Sequence, residues 1–247
     1  MKLEQQRVLI FGASSGLGRV TGIGLAQRGA RVAMAARRTE MVERSAADAG
    51  NGAIALTCDV RDLSSCELAV ATAVEKFGGL DAIIYTVAKD TMDRLRSADE
   101  DAWADSLATN VVGASLATAA AIEQLEASGG RAIYFSSSSG PTSAPWPGLG
   151  VYGVTKAALE RLIDAWQAEH PLVAFSSLIL GPTLGDNDAP SQFGTTWDAD
   201  LAAEFLPKWI EIERHPGLVT SEDLIQGVST ILTVDALISS MTILPRS

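Results

Sequence analysis

Short apolar runs alternate along the chain with longer segments in which apolar residues recur at helical spacing. This alternation indicates parallel strands, each followed by a helix that covers one face of the sheet. The runs predict strands at 8–11, 31–36, 52–57, 80–85, 131–135, 172–180 and 240–244. The segments between them predict helices from the first glycines to about 28, and at about 39–49, 63–77, 99–127, 151–166, 199–212 and 221–234.

The pattern continues from end to end. No repeat, linker or low-complexity stretch separates two domains within the 247 residues. A single α/β domain over 1–247 is therefore predicted, with a doubly wound parallel sheet and helices on both faces. Residues 181–200 are rich in Gly, Pro, Asp and Thr, and together with the helix that follows they predict a substrate loop and helix at about 181–215.

The first predicted strand ends in a glycine-rich turn, Gly12-Ala-Ser-Ser-Gly16-Leu-Gly18, and a helical pattern follows it. Glycines let the backbone approach a pyrophosphate, and the start of a helix supplies N–H donors and a positive dipole end. The turn therefore indicates a phosphate-binding site. The alternative is a tight strand-to-helix turn without a ligand, which the flanking strand and helix disfavour.

Two arginines, Arg37 and Arg38, stand at the end of the second predicted strand. In a dinucleotide-binding fold, an acidic residue roughly 20 residues beyond the glycines holds the ribose 2′-hydroxyl, whereas an arginine accommodates a 2′-phosphate. No acid is present here, so NADP(H) is the predicted cofactor. The alternative is a pair of solvated arginines at the start of the next helix.

Tyr152 and Lys156 lie four residues apart in the helix predicted at 151–166, so both side chains share one face of it. A positive charge beside a phenol stabilises the phenolate and lowers its pKa, which lets the pair move a proton to or from a substrate oxygen. For a lone Tyr-x-x-x-Lys pattern, an amphipathic helix with a surface lysine is the favoured interpretation. The rest of the chain decides between the two.

The formal net charge of −11 disfavours nucleic acid as a partner, because an acidic protein repels phosphate backbones. Cys58 and Cys66 form no Cys-x-x-Cys motif and no histidine cluster accompanies them, so neither a disulfide framework nor a metal site is predicted. The N-terminus is too polar for a signal peptide, and the longest low-charge run, 107–122, is shorter than the ~20 residues of a membrane span. A cytoplasmic protein without membrane contact is expected.

Three further motifs follow in order: Cys58-Asp59-Val60, Asn110-Val-Val-Gly113, and the serines 136–139 after the fifth strand. With the glycine turn and Tyr152-x-x-x-Lys156, they make the chain resemble the short-chain dehydrogenase/reductase (SDR) family, in its single-domain branch, over roughly residues 7–185. The set disfavours the surface-helix interpretation of Tyr152. The resemblance implies a Rossmann-like fold and an NADP(H)-dependent oxidoreductase that interconverts a carbonyl and a secondary alcohol by hydride transfer.

The resemblance also implies the catalytic roles. Tyr152 would exchange a proton with the substrate oxygen, Lys156 would hold the nicotinamide ribose and lower the Tyr152 pKa, and Asn110 would hold a relay water and bend its helix locally. A serine hydroxyl would bind the substrate oxygen. Ser139 lies thirteen residues before the tyrosine, whereas Ser137 is the second serine after the strand and three before a glycine. Because strand register aims side chains more rigidly than a proline-rich loop does, Ser137 is preferred and Ser139 is the second candidate.

For the cofactor, the resemblance places Ala36 where an NAD-selecting acid would stand. This leaves space for a 2′-phosphate, with Arg37 as its first candidate and Arg38 as the second. Asp59 would bind the adenine edge, and it could also cap the helix predicted at 63–77. The implied cofactor-binding residues are Gly12, Ser14, Ser15, Gly16, Leu17, Gly18, Arg37, Arg38, Asp59, Val60, Tyr152, Lys156, Gly181 and Thr183.

The chain departs from the family pattern at several points. Tyr85-Thr-Val-Ala88 replaces Asn-Asn-Ala-Gly after the fourth strand, Phe11 stands where a threonine is usual, and Leu180-Gly181 replaces Pro-Gly. Such residues mostly brace the sheet and the cofactor, so stability or affinity should change before the chemistry does. The C-terminal tail lacks the glycine-rich ending of the family, and this departure disfavours the tetramer interface of the family.

Three expectations about the function remain open. The alternative to an enzyme is a catalytically silent NADP(H)-binding regulator of the same fold, which would have no need of the proton relay. A homodimer or homotetramer is expected, because the middle of the 99–127 helix is apolar on nearly all sides and the family uses this helix and the Tyr152 helix at a twofold interface. The residues Trp146, Leu149, Phe193, Trp197 and Trp209 could line an apolar substrate pocket, or they could be ordinary packing.

Overall fold

The computed structural model describes residues 2–140, 144–183, 185, 190, 193–213 and 217–246. Within them the chain forms one parallel sheet and a set of α-helices. The strands are β1 Arg7–Phe11, β2 Arg31–Ala36, β3 Ile54–Thr57, β4 Ala82–Tyr85, β5 Arg131–Ser137, β6 Ala174–Leu180 and β7 Ser240–Ile243. The helices are α1 Gly16–Gln27, α2 Thr39–Ala49, α3 Leu63–Phe77, α4 Glu100–Leu107, α5 Gly113–Ser128, α6 Gly150–Glu169, α7 Ala199–Glu213 and α8 Ser221–Thr233.

The sheet confirms the predicted doubly wound architecture. Its strand order is β3-β2-β1-β4-β5-β6-β7, and every neighbouring pair is parallel. The chain therefore runs outwards from β1 in one direction and then, from β4, in the other. This reversal opens a crevice at the carboxyl ends of β1 and β4, where ligands bind in folds of this kind.

The helices cover both faces because the central strands are mostly apolar and buried on both sides. In β1, Val8 and Ile10 face a core formed with α1, α2 and α8. Leu9 and Phe11 point to the opposite face and pack in a second core with α3, α5 and α6. The alternation follows from the two-residue period of a strand.

A partly buried ion pair between Arg7 and Asp81 links the start of β1 to the start of β4. The Arg7 backbone N–H and Nε both donate to Asp81 Oδ2 at 2.8 Å, and Arg7 Nη2 donates to Asp81 Oδ1 at 2.6 Å. Both side chains are largely shielded from solvent, and two parallel bonds from one guanidinium give the pair a defined geometry. The pair fixes the register at the point where the two halves of the sheet meet.

The single helix predicted at 99–127 is two helices, α4 and α5, joined by one wide turn at Ala108–Val112. In this turn the Gly113 N–H reaches back five residues to the Ala108 carbonyl, so it is a π-type turn. Asn110 lies inside it and is fully buried. The sequence resemblance implied a local bend at this residue, and the wide turn is its structural form.

Candidate functional site

The glycine turn packs too tightly for any side chain at its ends. Gly12 has a φ of +95°, and a Cβ there would lie 2.6 Å from the Thr86 hydroxyl oxygen. A Cβ at Gly18 would lie 2.4 Å from the Gly12 carbonyl oxygen, so α1 begins directly against the end of β1. Ser15 precedes α1 without capping it through its side chain. The first N–H groups of α1 are thus available at the crevice, as pyrophosphate binding requires.

The structure brings Arg38, and not Arg37, to this turn. Arg38 Nη2 donates to the Ser14 hydroxyl at 2.8 Å and to the Ser15 hydroxyl at 2.7 Å. Burial lowers the pKa of Arg38, and the charge of Arg37 lowers it further. Arg37 is exposed. The geometry therefore favours Arg38 as the first candidate for a 2′-phosphate, which reverses the order expected from the sequence, because consecutive residues leaving a strand point in different directions.

Asp59 and Val60 follow β3 and lie near the same edge. Asp59 Oδ1 accepts a hydrogen bond from the Arg61 N–H at 3.0 Å. Asp59 does not cap α3, as one expectation had it; Asp62 does, by accepting from the Ser64 N–H at 3.0 Å. Val60 is buried against the start of α5.

The two cofactor candidates after β6 are engaged with backbone. The Gly181 N–H donates to the Ile243 carbonyl of β7 at 3.0 Å. The Thr183 hydroxyl donates to the Gly181 carbonyl at 2.7 Å, which holds the turn after β6. Much of the predicted substrate segment beyond Thr183, including residues 186–189, 191–192 and 214–216, lies outside the described residues.

The three polar groups predicted to act on the substrate meet at the start of α6. Tyr152 is 6% exposed and forms a hydrogen bond with Ser137, at the end of β5. The Ser137 hydroxyl is also 2.8 Å from the Ser139 hydroxyl, so both serine candidates lie at the site, with Ser137 next to the tyrosine. Lys156 is buried, and its Nζ lies 5.5 Å from the centre of the Tyr152 ring.

The charges at this site differ from the sequence expectation. Burial raises the pKa of Tyr152; the hydrogen bond with Ser137 lowers it in part, and the charge of Asp90 raises it again. Burial lowers the pKa of Lys156 to about 8, against the charge of Glu160, which raises it. Lys156 Nζ donates to the Phe135 carbonyl at 2.7 Å. Desolvation thus raises the Tyr152 pKa, contrary to the lowering expected from Lys156.

Asn110 ties the end of β4 to α6. Its Oδ1 accepts from the Lys89 N–H at 2.7 Å, and its Nδ2 donates to the Lys89 carbonyl at 2.9 Å and to the Thr155 hydroxyl at 2.8 Å. Thr155 in turn donates to the Tyr152 carbonyl at 2.7 Å. The amide is therefore committed to protein partners, and its contacts position the helix turn that carries the tyrosine.

An aromatic wall, defined as Phe193, Trp197, Trp209 and Trp146, extends from Tyr152. The Phe193 ring meets the Tyr152 ring edge-on with 5.5 Å between centres, and successive rings of the wall follow at 5.0, 5.4 and 5.0 Å. Leu149 and Phe205 join the same apolar cluster. A cavity of about 580 Å³ lies beside Trp146 and Phe205, lined also by residues 93–96 and 145–148, and no predicted catalytic residue lines it.

Sequence reasoning missed three residues at this site. Thr155 lies within the Tyr152-x-x-x-Lys156 motif, and its hydroxyl gave no signal of its own. Tyr85 donates from its hydroxyl to the Thr109 carbonyl inside the wide turn. Asp90, 9% exposed, accepts from the Gly194 N–H at 2.7 Å. An acidic residue five positions beyond a buried strand was the available signal for Asp90.

The comparison with known families agrees with this geometry. The family model described as short chain dehydrogenase matches residues 6–191, well over half of the chain. The chain belongs to the short-chain dehydrogenase (SDR) family. The SDR family is a family of oxidoreductases that bind a nicotinamide cofactor, and the glycine cradle and the uncapped start of α1 fit such a ligand.

Individual relatives are similar to the chain over most of its length. An "Uncharacterized oxidoreductase" of Listeria monocytogenes is 32% identical over 173 residues, which cover 68% of this chain and 69% of that protein. The structure of an alcohol dehydrogenase from the archaeon Thermococcus sibiricus, complexed with 5-hydroxy-NADP, has a TM-score of 0.78 at 23% identity and covers 96% of this chain and 95% of its own. The 3-ketoacyl-(acyl-carrier-protein) reductase from Brucella melitensis, complexed with NADH, has a TM-score of 0.80 at 20% identity with the same coverage.

These two structural likenesses, both below 25% identity, concern the fold, and their cofactors differ from each other. The choice between NADP(H) and NAD(H) in this SDR protein therefore has to be argued from its own residues. Within the described part of the chain, no helix is both long and apolar enough to cross a bilayer.

Proposed function

We propose that this SDR protein is an NADP(H)-dependent oxidoreductase that interconverts a carbonyl and a secondary alcohol. The observation that carries the proposal is the buried tyrosine hydroxyl. Tyr152 is hydrogen-bonded to Ser137 and shares a helix face with Lys156. The acid–base group is therefore next to a hydroxyl that can donate to a substrate oxygen and next to a cation. A substrate oxygen placed between Ser137 and Tyr152 would exchange its proton with the phenol while its developing charge is stabilised.

The nicotinamide cofactor would supply the hydride, and the protein would hold and orient it. The turn of Gly12, Ser14, Gly16, Leu17 and Gly18 would bind the pyrophosphate at the start of α1. Asp59 and Val60 would border the adenine, while Gly181 and Thr183 would border the nicotinamide. Lys156 would hold the ribose next to it.

The preference for NADP(H) rests on the group formed by Arg38, Ser14 and Ser15. Beyond the end of β2, Arg38 Nη2 lies 2.8 Å from the Ser14 hydroxyl and 2.7 Å from the Ser15 hydroxyl. Ala36 adds no negative charge at that position, and Arg37 adds a second positive charge nearby. A 2′-phosphate would find paired charge-assisted bonds there, whereas a 2′-hydroxyl would leave two arginines without an anion.

Asn110 acts in this proposal by positioning. Its amide holds Lys89 and Thr155, so it fixes the turn of α6 from which Tyr152 and Lys156 project. A water held near this turn would connect Lys156 to solvent and complete the proton relay. The Asn110 amide itself offers that water little, because its oxygen and its nitrogen already bond to Lys89 and Thr155.

The assembly and location are also proposals. Val112 at the wide turn and Val154 on α6 are about half exposed, at 50% and 49%, and both lie on the helices that the SDR family uses for dimer contacts. Burying them against a second copy would form a homodimer or part of a homotetramer. Cys58 and Cys66 are both free thiols, as is usual in the reducing cytoplasm, where we place the protein.

The test is NADPH oxidation measured with a panel of ketones, aldehydes and quinones. We expect wild type to turn over at least one of these substrates. Tyr152→Phe should lower the rate by roughly 10²–10⁴-fold and keep cofactor binding, since that is the usual contribution of general acid–base catalysis. Phenylalanine retains the ring that packs against Phe193 and removes only the hydroxyl. Cofactor binding without turnover across the whole panel would instead point to a regulatory protein of the same fold.

A further inference from the structure

Asp90 is a buried carboxylate that the proposed reaction does not use. It follows β4, is 9% exposed, and its Oδ2 accepts one hydrogen bond, from the Gly194 N–H at 2.7 Å. None of the ion pairs among the described residues includes Asp90. A carboxylate that is shielded from water and has no cationic partner is a candidate for binding a cationic ligand.

The position of Asp90 is set by the same contacts that set Tyr152. Asn110 holds both backbone groups of Lys89, the residue before Asp90, and it also holds Thr155 on α6. On the other side, Gly194 adjoins Phe193, whose ring lies against the Tyr152 ring. These contacts form a closed circuit of residues that includes both the phenol and the carboxylate. The charge of Asp90 is close enough to raise the pKa of Tyr152.

We infer that the substrate carries a protonated amine close to the reacting carbon, and that Asp90 binds this ammonium group. An ammonium would supply the missing cation and bond to the carboxylate oxygen that Gly194 leaves free. The rings of Phe193 and Trp197, next to Gly194, provide aromatic faces of the kind that attract cations. The net charge of −11 also attracts a cationic substrate. The inference rests on the proposed function and narrows it to amino ketones and amino alcohols.

A purely structural role for Asp90 would not require its negative charge. Holding the Gly194 N–H requires one acceptor oxygen, which the amide of asparagine also offers. Asp90→Asn therefore keeps that contact and removes the charge, so the variant separates positioning of Gly194 from recognition of a cation.

The first test measures binding without turnover, by calorimetric titration in the absence of oxidised cofactor. Three ligands of the same shape are compared: phenylethanolamine, phenylethanediol and phenylpropanol, which carry an ammonium, a hydroxyl and a methyl group at the same position. Wild type should bind the amine at least about tenfold more tightly than the methyl compound, the scale of one charge-assisted bond. Asp90→Asn should abolish that preference. Asp93→Asn, a matched change three residues away, should leave it intact.

The second test measures kcat/KM for oxidation of the same three alcohols with NADP⁺. The inference predicts that Asp90→Asn lowers the value for the amino alcohol by at least about tenfold and changes the value for phenylpropanol little. Equal binding of the three ligands by wild type, or a preference that survives in Asp90→Asn, would overturn the inference. Selective amine binding without any turnover would support the Asp90 site and reject the oxidoreductase. Turnover of neutral substrates without a preference for the amine would support the oxidoreductase and reject the Asp90 site.

Discussion

The Tyr85 hydroxyl donates a hydrogen bond to the Thr109 carbonyl oxygen, with 2.6 Å between the two oxygens, inside the wide turn that carries Asn110. A π-type turn leaves a carbonyl without its usual amide partner, and a buried carbonyl without a partner costs free energy. Gly113 provides the room, since a Cβ there would lie 2.8 Å from the Tyr85 hydroxyl. Tyr85 therefore stabilises the turn from outside the helix.

Tyr85→Phe should lower kcat by about tenfold and leave KM nearly unchanged, because a wide turn without its external donor relaxes and moves Asn110. The loss of one hydrogen bond should also reduce the free energy of unfolding by about 1 kcal/mol. Steady-state kinetics and denaturant titration measure the two effects separately.

Tyr134→Phe is the matched control. Tyr134 is equally buried in the same core, and its hydroxyl bonds to Thr118 on α5, away from the wide turn. It should lose a similar amount of stability with little change in kcat. Equal effects of the two changes on kcat would show that Tyr85 acts through general stability alone.

Arg38→Ala should weaken NADP(H) binding by at least about tenfold and leave NAD(H) binding nearly unchanged, because charge-assisted bonds to a 2′-phosphate are worth ~1.5–3 kcal/mol each. Titration of both cofactors into the purified protein gives the ratio directly. Arg37→Ala is the companion variant and should have the smaller effect, since Arg38 alone reaches the serines. A larger effect of Arg37→Ala would restore the order that the sequence suggested, and equal wild-type affinities for both cofactors would refute the NADP(H) preference.

Lys156 should make the stability of the cofactor-free protein depend on pH. Its pKa is about 8 in the folded state and 10.5 in its unperturbed state. Between these values the unfolded chain binds more protons, so the free energy of unfolding rises with pH through this window. Relative to Lys156→Met, which lacks this proton, wild type should gain about 2–3 kcal/mol from pH 7 to pH 10, at 1.36 kcal/mol per pKa unit. Parallel pH profiles for the two proteins in urea titrations would contradict the buried ammonium.

Val154→Glu should dissociate the proposed dimer, because it places a charge in the apolar centre of the contact. Sedimentation velocity should show a shift towards the monomer of 25.9 kDa. Leu68→Glu, at a more exposed leucine on α3, should leave the assembly intact. A wild-type protein that sediments only as a monomer at micromolar concentration would remove the proposal, since interfaces of this kind are large and apolar.

The order of strands and helices followed from the sequence because the local signals agree with the fold. After Arg7, the strand β1 is apolar at every position and is followed by the glycine turn, and both features mark a strand buried on two faces that turns into a helix. The placement of the glycine turn, Asp59 and the serines 136–139 at one edge of the sheet followed in the same way, since these segments follow strand ends and parallel strands bring their carboxyl ends to one edge.

Contacts between distant segments did not follow from the sequence. Whether Arg37 or Arg38 reaches Ser15 depends on the direction in which the chain leaves β2, and no local pattern encodes it. The pairing of Tyr85 with Thr109 and of Asp90 with Gly194 joins residues 24 and 104 positions apart. Burial shifts the pKa values of both Tyr152 and Lys156, and the degree of burial is a property of the whole fold.

The joint between β1 and β4, fastened by Arg7 and Asp81, sets an order of events during folding. β2 can pair with β1, and β3 with β2, as soon as they are synthesised, but the second half of the sheet must wait until a loop of 74 residues closes. Loop closure costs conformational entropy before any contact repays it, and pairings of this kind slow folding. The crevice that holds the glycine turn has both its walls only after that closure. The complete dinucleotide site therefore forms only after β4 has paired with β1. A nascent chain that ends before β4 lacks one wall of that site.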